Sequence, residues 1–356
     1  MHLSERGKKI EQSYIRSMTR ACNSVNGINM AQGVCDLEVP SCIIEGAHQA
    51  MLDGYNIYTP TEGLLRLREA IASKMAHWYD VKIESENVLV SDGATGAFYT
   101  ACMALLNPQD EVILFEPYYG YHRSTLVSLG IKPIFVPLKA PNWELDIEAL
   151  EEVISQNTKG IVICNPSNPS GKVFTKSELD SIGNFCQKHD LTAFSDEMYE
   201  YFLYEDVKHV TALSIPSLKD RVVVMSGFSK VFSVTGWRLG YAIAPQEICE
   251  AMAQLNDLIY VCAPAPLQIG VAVGLETLTE NYYHELASVH EYKRDLFCNA
   301  LQLAGLTPSI PKGAYYVMTD VSRVPGNDDV QKALFLLEKT GIASVPGMLH
   351  TFEYLI

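Results

Sequence analysis

The sequence predicts an α/β fold, with a large domain built on a seven-stranded, mainly parallel sheet covered by helices, and a smaller α+β domain formed by both termini. Between residues 88 and 244, short apolar runs rich in β-branched residues alternate with segments of helical pattern, as in sheets that are covered on both faces. At 356 residues the chain also exceeds the length at which a single hydrophobic core usually stops growing, about 250–300 residues, so two domains are expected.

The elements of the large domain follow one another along the chain. Its seven predicted strands are residues 88–90, 111–115, 133–136, 160–164, 192–195, 222–225 and 240–244. Helices are predicted at residues 96–106, 147–155, 176–189, 266–279 and 283–304. We expect a large domain over residues 41–290 and a small domain over residues 1–40 and 291–356, C-terminally shortened. The two should pack as one unit, because the chain has no Gly/Ser-rich linker.

Composition argues against several classes of function. The formal net charge of -15 disfavours a nucleic acid or an anionic membrane as a partner. No run reaches the roughly 18 apolar residues of a membrane-spanning helix, and residues 1–20 are too polar for a secretory signal. The nine cysteines include no C-x-x-C pair, which argues against a disulfide framework and a zinc site. We therefore expect a cytoplasmic protein whose cysteines mostly fill the core.

Lys230 is the most informative residue for function. It follows the apolar run 222–225, and a second cation, Arg238, lies eight positions further on. Burial at a strand end lowers the pKa of a lysine toward the neutral amine, which can form a Schiff base with an aldehyde. Arg238 lies between Gly236 and Gly240, where a guanidinium can approach the backbone and bind a phosphate through two bonds. An aldehyde and a phosphate together indicate pyridoxal 5′-phosphate.

Lys230 and Arg238 could also be two ordinary surface cations. The cofactor hypothesis therefore needs further residues that could bind the cofactor. Gly93, Ala94 and Thr95 follow the first predicted strand and open a helix, where backbone N–H groups bind phosphate. Tyr119 follows the strand 111–115, at the edge where ligands of α/β sheets bind, and its ring can stack on a pyridine. Taken alone, the segment at Gly93 would also fit a plain turn that binds nothing, and Tyr119 would also fit a tyrosine of the core.

Polar side chains follow two more strands. Asn168 lies in residues 165–171 (Asn-Pro-Ser-Asn-Pro-Ser-Gly), where two Asn-Pro pairs predict a rigid turn, with a cis bond as one option. Its amide could donate to the phenolic oxygen of the cofactor. Asp196 can keep the pyridine nitrogen protonated, which makes the ring an electron sink, and Tyr199 can hydrogen-bond the phenolic oxygen. A helix N-cap is the competing interpretation of Asp196.

Together with other motifs, these segments resemble the fold-type I pyridoxal-phosphate enzymes of the aspartate aminotransferase family, the class I and II aminotransferases, over nearly the whole chain. The other matching segments are residues 29–33 (Asn-Met-Ala-Gln-Gly), residues 58–68 (Tyr-Thr-Pro-Thr-Glu-Gly-Leu-Leu-Arg-Leu-Arg), residues 311–316 (Pro-Lys-Gly-Ala-Tyr-Tyr) and residues 345–347 (Val-Pro-Gly). The activity implied by the resemblance is the transfer of an amino group from an amino acid to a 2-oxo acid.

The resemblance also implies roles for single residues. Lys230 would carry the cofactor and move the proton, while the backbone of Gly33 and the amide of Asn168 would contact the substrate carboxylate. Tyr58 would reach the phosphate of the neighbouring subunit, which implies a homodimer with shared sites. Further cofactor contacts would come from Gly93, Ala94, Thr95, Tyr119, Asn168, Asp196, Tyr199, Ser229 and Arg238.

Two departures from the family pattern leave alternatives open. Gly227 stands where many members have serine, so Ser229 would make that phosphate contact instead. The chain ends nine residues after Gly347 without the arginine that binds the substrate α-carboxylate in the family, so a weakly active, shortened paralogue is one alternative. A C–S lyase or a synthase is another, because these enzymes use the same cofactor residues.

Overall fold

The computed structural model describes residues 2–10, 13–347 and 354–356. In chain order its strands are β1 Ile28–Asn29, β2 Val88–Ser91, β3 Glu111–Glu116, β4 Lys132–Pro137, β5 Thr158–Cys164, β6 Thr192–Asp196, β7 Val222–Gly227, β8 Gly240–Ile243, β9 Thr307–Ser309, β10 Met318–Asp320, β11 Ile342–Ala343 and β12 Tyr354–Leu355. Its helices are α1 Glu5–Lys9, α2 Tyr14–Ser24, α3 Ser41–Leu52, α4 Leu65–Tyr79, α5 Gly93–Leu105, α6 Gly120–Leu129, α7 Ile147–Val153, α8 Lys176–His189, α9 Gln246–Ile259, α10 Ala265–Thr277, α11 Glu280–Leu303 and α12 Asp329–Thr340. Most of the chain end that follows Gly347, residues 348–353, lies outside the described residues.

The central sheet confirms the predicted α/β fold. Its seven strands lie in the order β2-β8-β7-β6-β5-β3-β4. Both ends of each predicted strand lie within two residues of the ends of the corresponding observed strand. Strands β2 to β7 run in the same direction, whereas β8 is antiparallel to its neighbours β2 and β7. Every residue of β2, β7 and β8 is buried, which explains why these strands are continuous runs of apolar and small residues.

The direction of β8 decides which residues meet at one edge of this sheet. Ligands of such sheets bind beyond the carboxyl ends of the parallel strands. Gly93, Tyr119 and Asn168 follow the ends of β2, β3 and β5, and Asp196 is the last residue of β6. Because β8 runs in the opposite direction, it begins at the edge where these strands end. Arg238, two residues before β8, is therefore brought to the same edge.

The five predicted helices are confirmed as α5, α7, α8, α10 and α11, with ends that differ by up to three residues. Helix α8 has the predicted limits, and a capping box between Thr175 and Glu178 fixes its start. Helix α5 starts three residues earlier than predicted, so Gly93, Ala94 and Thr95 form its first turn. The sequence analysis missed α1 to α4, α6, α9 and α12.

The terminal segments form two small sheets and a hydrophobic cluster of their own. Strand β1 pairs in parallel with β11, and β10 lies between β9 and β12. The buried residues of the cluster are Met18, Cys22, Ala31, Val321, Val324, Ala333, Leu337, Ala343, Val345 and Leu355. All of them fall within residues 1–40 or 291–356, which supports our proposal that these segments make up a small domain.

The cysteines are all free thiols, and six of the nine are buried: Cys22, Cys35, Cys102, Cys186, Cys249 and Cys298. They fill core positions, as the sequence predicts. Within the described ranges, no helix combines the length and the apolar composition that crossing a bilayer requires.

Candidate active site

A cavity of about 410 Å³ lies where the parallel strands end. Cofactor and small-molecule sites usually enclose about 300–1,000 Å³, so its size suits a small ligand. Ten predicted site residues line it: Gly33, Ala94, Thr95, Tyr119, Asn168, Asp196, Tyr199, Ser229, Lys230 and Arg238. Thus the folded chain brings together residues that are far apart in sequence.

Lys230 lies three residues after the end of β7 and lines this cavity. Its Nζ atom donates a hydrogen bond to the carbonyl oxygen of Gly33 at 2.8 Å and lies 5.6 Å from the centre of the Tyr315 ring. Burial lowers the pKa of Lys230 to about 8, and the nearby charge of Arg238 acts in the same direction, while Cys35 opposes it. The amine is therefore partly neutral near physiological pH.

We expect the reaction of Lys230 with aldehydes to accelerate with pH and to level off above about 8, because only the neutral amine is a nucleophile. Absorbance measured after mixing cofactor-free protein with pyridoxal 5′-phosphate across a pH series would follow this reaction. Lys230→Ala protein, mixed in parallel, corrects for surface lysines. A midpoint near 10.5, the ordinary value for lysine, would show that burial does not tune this amine.

One end of the cavity is suited to an anion. The first-turn N–H groups of α5, from Gly93 to Thr95, have no partner within the helix itself, and the Asp92 side chain before them caps none of them in the described structure. Gly93 has a positive φ of 72°, and a Cβ atom there would lie 2.4 Å from Nη2 of Arg238. The guanidinium thus rests directly on the backbone beside the helix start, held by a hydrogen bond from Nη1 to the carbonyl oxygen of Thr235 at 3.1 Å.

Asp196, at the end of β6, faces the cavity from another side. Its Oδ2 atom is hydrogen-bonded to Nε2 of His122 at 3.0 Å, and its Oδ1 atom accepts from the backbone N–H of Met198 at 3.2 Å. The competing interpretation of Asp196 as a helix N-cap is wrong, because residues 198–201 form turns. The carboxylate is instead held in place with one side turned toward the cavity.

Three tyrosines surround the remaining wall. The hydroxyl groups of Tyr199 and Tyr316 are hydrogen-bonded at 2.7 Å. Burial raises the pKa of Tyr199 well above its ordinary value and that of Tyr316 to about 12, so both phenols stay protonated. The ring of Tyr119 meets His122 edge to face at 5.3 Å. A Cβ atom on Gly33 would lie 2.4 Å from the Tyr316 hydroxyl, so this position requires glycine.

The double Asn-Pro turn holds Asn168 against the cavity. Both Asn-Pro bonds are cis. The side chain of Asn165 accepts from the N–H of Phe174 at 2.9 Å and donates to the carbonyl oxygen of Val210 at 3.1 Å, which anchors the turn. The backbone N–H of Asn168 donates to Sγ of Cys164 at 3.3 Å. The side-chain amide of Asn168 is the part of this turn that lines the cavity.

Several cavity residues were missed by the sequence analysis. His122 lies three residues after Tyr119 in the first turn of α6, a spacing that places both on one helix face and that could have revealed it. Thr235 lies three residues before Arg238 and lines the same end of the cavity. Gln32 lies in the motif of residues 29–33 but was not named as a site residue, and Arg16 comes from the N-terminal segment outside that motif.

Two predicted residues lie outside the cavity lining. Gly93 lies beneath the Arg238 guanidinium. Tyr58 is 80% exposed and borders a different surface cavity together with Cys262 and Pro264. Within this chain, Tyr58 therefore does not contribute to the cavity that contains Lys230.

Comparison with known proteins agrees with this arrangement. The family model for aminotransferases of class I and II matches residues 25–353. A probable aspartate/prephenate aminotransferase of Aquifex aeolicus (strain VF5) is 34% identical over 329 residues, which cover 91% of this chain and 84% of that protein. Kynurenine–oxoglutarate transaminase 3 of Rattus norvegicus is 32% identical over 338 residues, covering 90% and 74%.

Solved structures show the same architecture. The structure of Thermus thermophilus aspartate aminotransferase with maleate has a TM-score of 0.94 to this chain at 28% identity, covering 100% of this chain and 94% of that one. Similarity therefore extends over the entire fold rather than over the cofactor motifs alone. The chain belongs to the class I and II aminotransferase family and is an enzyme that transfers amino groups.

Proposed function

We propose that this chain moves an amino group from an amino acid to a 2-oxo acid with pyridoxal 5′-phosphate bound in the cavity. One observation carries the proposal: a single cavity combines a lysine whose pKa is about 8, a carboxylate at a strand end, and a helix start beside a guanidinium. The names of the relatives support amino-group transfer over the C–S lyase or synthase alternative.

The anion end of the cavity fits the phosphate of this cofactor. A Cβ atom at position 93 would fill the space that the Arg238 guanidinium occupies, so glycine at this position leaves room for the guanidinium beside the helix start. Arg238 and the N–H groups of Ala94 and Thr95 would hold the phosphate, because a helix start and a guanidinium both favour negative charge. The buried Ser229 would add its hydroxyl.

The other donors fit the ring of the cofactor. Asp196 would hold a proton on the ring nitrogen, and His122 would keep that carboxylate oriented through the 3.0 Å hydrogen bond. Tyr199 and Asn168 would donate to the phenolic oxygen, since the Tyr199 phenol stays protonated, and Tyr119 would cover one ring face. When bound, the cofactor supplies an electron sink for the negative charge that develops at the substrate Cα atom.

Lys230 would move the proton that the reaction shifts. A general acid–base group works best when its pKa is close to the working pH, and the lowered pKa of about 8 meets this condition. The neutral amine of Lys230 would take the proton from the substrate Cα atom, and the resulting ammonium would deliver it to the C4′ atom of the cofactor. The carbonyl oxygen of Gly33, 2.8 Å from Nζ, orients the amine in the meantime.

The opposite end of the cavity would hold the substrate carboxylate. We propose contacts from the backbone of Gly33 and the amide of Asn168, and we add Arg16. Apart from Lys230 and Arg238, Arg16 is the only lysine or arginine among the described residues that line this cavity. The aspartate and oxoglutarate in the relatives' names support an acidic substrate, for which a further cation is suited.

A single-turnover screen across the amino acids tests the proposal. Cofactor-loaded protein given one amino acid and no 2-oxo acid should change its absorption once and release one 2-oxo acid per site, because a second cycle needs an acceptor. Glutamate and aspartate as the best donors would support the assignment of Arg16. Continuous release of ammonia together with pyruvate or a thiol would instead identify a lyase and refute the proposal.

We further propose a homodimer in which Tyr58 completes the partner's phosphate site. The exposure of Tyr58 and its separation from the cavity that contains Lys230 support this, and so does the neighbouring apolar side chain of Ile57, which is 79% exposed and borders the same surface cavity as Tyr58. Sedimentation analysis of the purified protein should give a mass of two chains.

Shared sites predict complementation between two inactive chains. A hybrid dimer of Tyr58→Phe and Lys230→Ala chains has one site with both lesions and one with neither, so mixing the variants should exceed the activity of either alone. Subunit exchange must be shown separately, for example with differently tagged chains. If exchanged hybrids stay as inactive as their parents, each site is built by one chain.

We also propose a reducing, cytoplasmic location. The nine free cysteines support it, because such thiols persist where disulfides are kept reduced.

A further inference from the structure

The segment after β6 faces two different environments. Asp196, Met198 and Tyr199 line the cavity, whereas the side chains of Glu197 and Glu200 do not. These two glutamates are nevertheless buried, at 2% and 6% exposed. Carboxylates are seldom buried unless they are paired, so each of them should have specific partners on the side away from the cavity.

Glu200 is held by four side chains. Its Oε1 atom accepts hydrogen bonds from Nζ of Lys74 at 2.6 Å, from the Ser226 hydroxyl at 3.1 Å and from the Tyr241 hydroxyl at 3.3 Å. Its Oε2 atom accepts from the Tyr79 hydroxyl at 2.5 Å. Burial opposes ionisation, yet the ammonium of Lys74 keeps the pKa of Glu200 below its ordinary value. The turn is thereby attached to α4, β7 and β8.

Glu197 is held by a separate set of partners. Its Oε1 atom accepts from the Ser195 hydroxyl and from the N–H of Ala212, both at 2.9 Å. Its Oε2 atom is hydrogen-bonded to Nε2 of His209 at 2.9 Å, and its own N–H donates to the carbonyl oxygen of Met225 at 2.8 Å. The first residue after β6 is thus fixed to the loop before residue 212 and to β7.

Such buried pairs contribute little net stability, because the cost of removing two charges from water offsets most of their attraction. The contacts of Glu197 and Glu200 instead fix the position of the backbone of residues 196–200. Asp196 precedes one anchored glutamate, and Tyr199 precedes the other. A shift of this backbone would move both groups relative to the cavity at the same time.

We propose that Glu197 and Glu200 are positioning residues, which hold residues 196–200 from the side opposite the cavity and so fix the Asp196 carboxylate and the Tyr199 hydroxyl in place. This inference rests on the proposed function, in which both groups contact the cofactor. Misplacement of catalytic groups and loss of their supporting hydrogen bonds each reduce rates by about 10- to 100-fold.

Two variants separate positioning from a purely structural role. Glu200→Gln keeps the size of the side chain but removes the charge, and Lys74→Met with Glu200→Met replaces the whole ion pair by apolar side chains. Arg294→Met is the control, since Arg294 is a buried cation of α11, 7% exposed, and its partners Asp295 at 2.7 Å, Glu205 at 3.5 Å and the Tyr204 ring lie outside residues 196–200. Thermal unfolding of all three ranks their stability.

We expect both Glu200 variants to stay folded and to lose about 10- to 100-fold in kcat with little change in KM, and to shift the pH titration of the bound-cofactor absorption. Arg294→Met should retain wild-type kcat even if it lowers the unfolding temperature as much as the two Glu200 variants do. In the cofactor-free protein, amide hydrogen exchange of residues 194–202 should be faster in the Glu200 variants than in wild type and in Arg294→Met.

Wild-type kcat and unchanged exchange in both Glu200 variants would overturn the inference, and so would an equal loss of kcat in Arg294→Met. The same measurements distinguish the positioning role from the proposed function. A wild-type protein that transfers no amino group at all would refute the proposed function, whereas an active wild type with active Glu200 variants would refute only the positioning role.

Discussion

Replacement of Lys230 by alanine is expected to lower kcat by about 10⁴-fold, the upper end of what a general acid–base group contributes. No other lysine lines the cavity in the described ranges, so no neighbouring amine can take over. The variant should also lose the covalent link to the cofactor. Borohydride treatment followed by dialysis and absorbance reads the link directly, and a coupled amino-transfer assay reads kcat.

Lys230→Arg is the matched control, because it keeps a cation in the cavity but cannot supply a neutral amine. It should be about as inactive as Lys230→Ala. Cofactor that remains covalently fixed after borohydride treatment of Lys230→Ala would place the link on another residue and refute the central assignment.

Replacement of Asp196 by alanine is expected to lower kcat by about 10²–10³-fold while most of the cofactor is retained, since this is the usual loss when one preorganised electrostatic partner is removed. Replacement of Arg238 by alanine should do the opposite. It should weaken cofactor binding by about 1.5–3 kcal/mol, the usual value of hydrogen bonds to a charged group, and leave the rate per bound cofactor largely intact. Equilibrium dialysis and single-turnover rates measure the two quantities.

His122→Phe provides a control for the Asp196 result. It removes the 3.0 Å hydrogen bond to the carboxylate while leaving the carboxylate present, so its loss in kcat should be smaller than that of Asp196→Ala. If Asp196→Ala sheds the cofactor as readily as Arg238→Ala and keeps the wild-type rate per bound cofactor, the proposed division between ring and phosphate partners is wrong.

Most of the fold and much of the site could be predicted from the sequence alone, because the ends of the strands can be recognised from the residue pattern. Each apolar run ends where a polar residue appears, and parallel strands bring those ends to one edge. Asp196 and Lys230 were predicted in this way, and the structure places both in the cavity lining. Arg238 was predicted from its glycine-rich surroundings, although the antiparallel direction of β8 that brings it there was not.

The parts that were missed depend on contacts between distant segments. The hydrogen bond between His122 and Asp196 joins positions 74 residues apart, and that between Lys230 and Gly33 joins positions 197 apart. Four of the missed helices, α3, α4, α6 and α9, lack Ser, Thr, Asp or Asn at the N-cap, so the usual start signal is absent from their sequences. Their N-cap residues are Pro40, Leu64, Tyr119 and Pro245. Tertiary packing, which a local pattern does not encode, determines these features.

The amine of Lys230 makes a hydrogen bond within the folded chain, to the backbone of Gly33. The free amine holds the carbonyl oxygen of Gly33 at 2.8 Å, and so connects the N-terminal segment to the turn after β7. An amine engaged with a ligand has fewer hydrogens to donate, so it cannot hold this partner in the same way. Occupation of the amine therefore weakens this link, while the hydrogen bond from the Ser233 hydroxyl to Sγ of Cys35 at 3.1 Å still joins the same two segments.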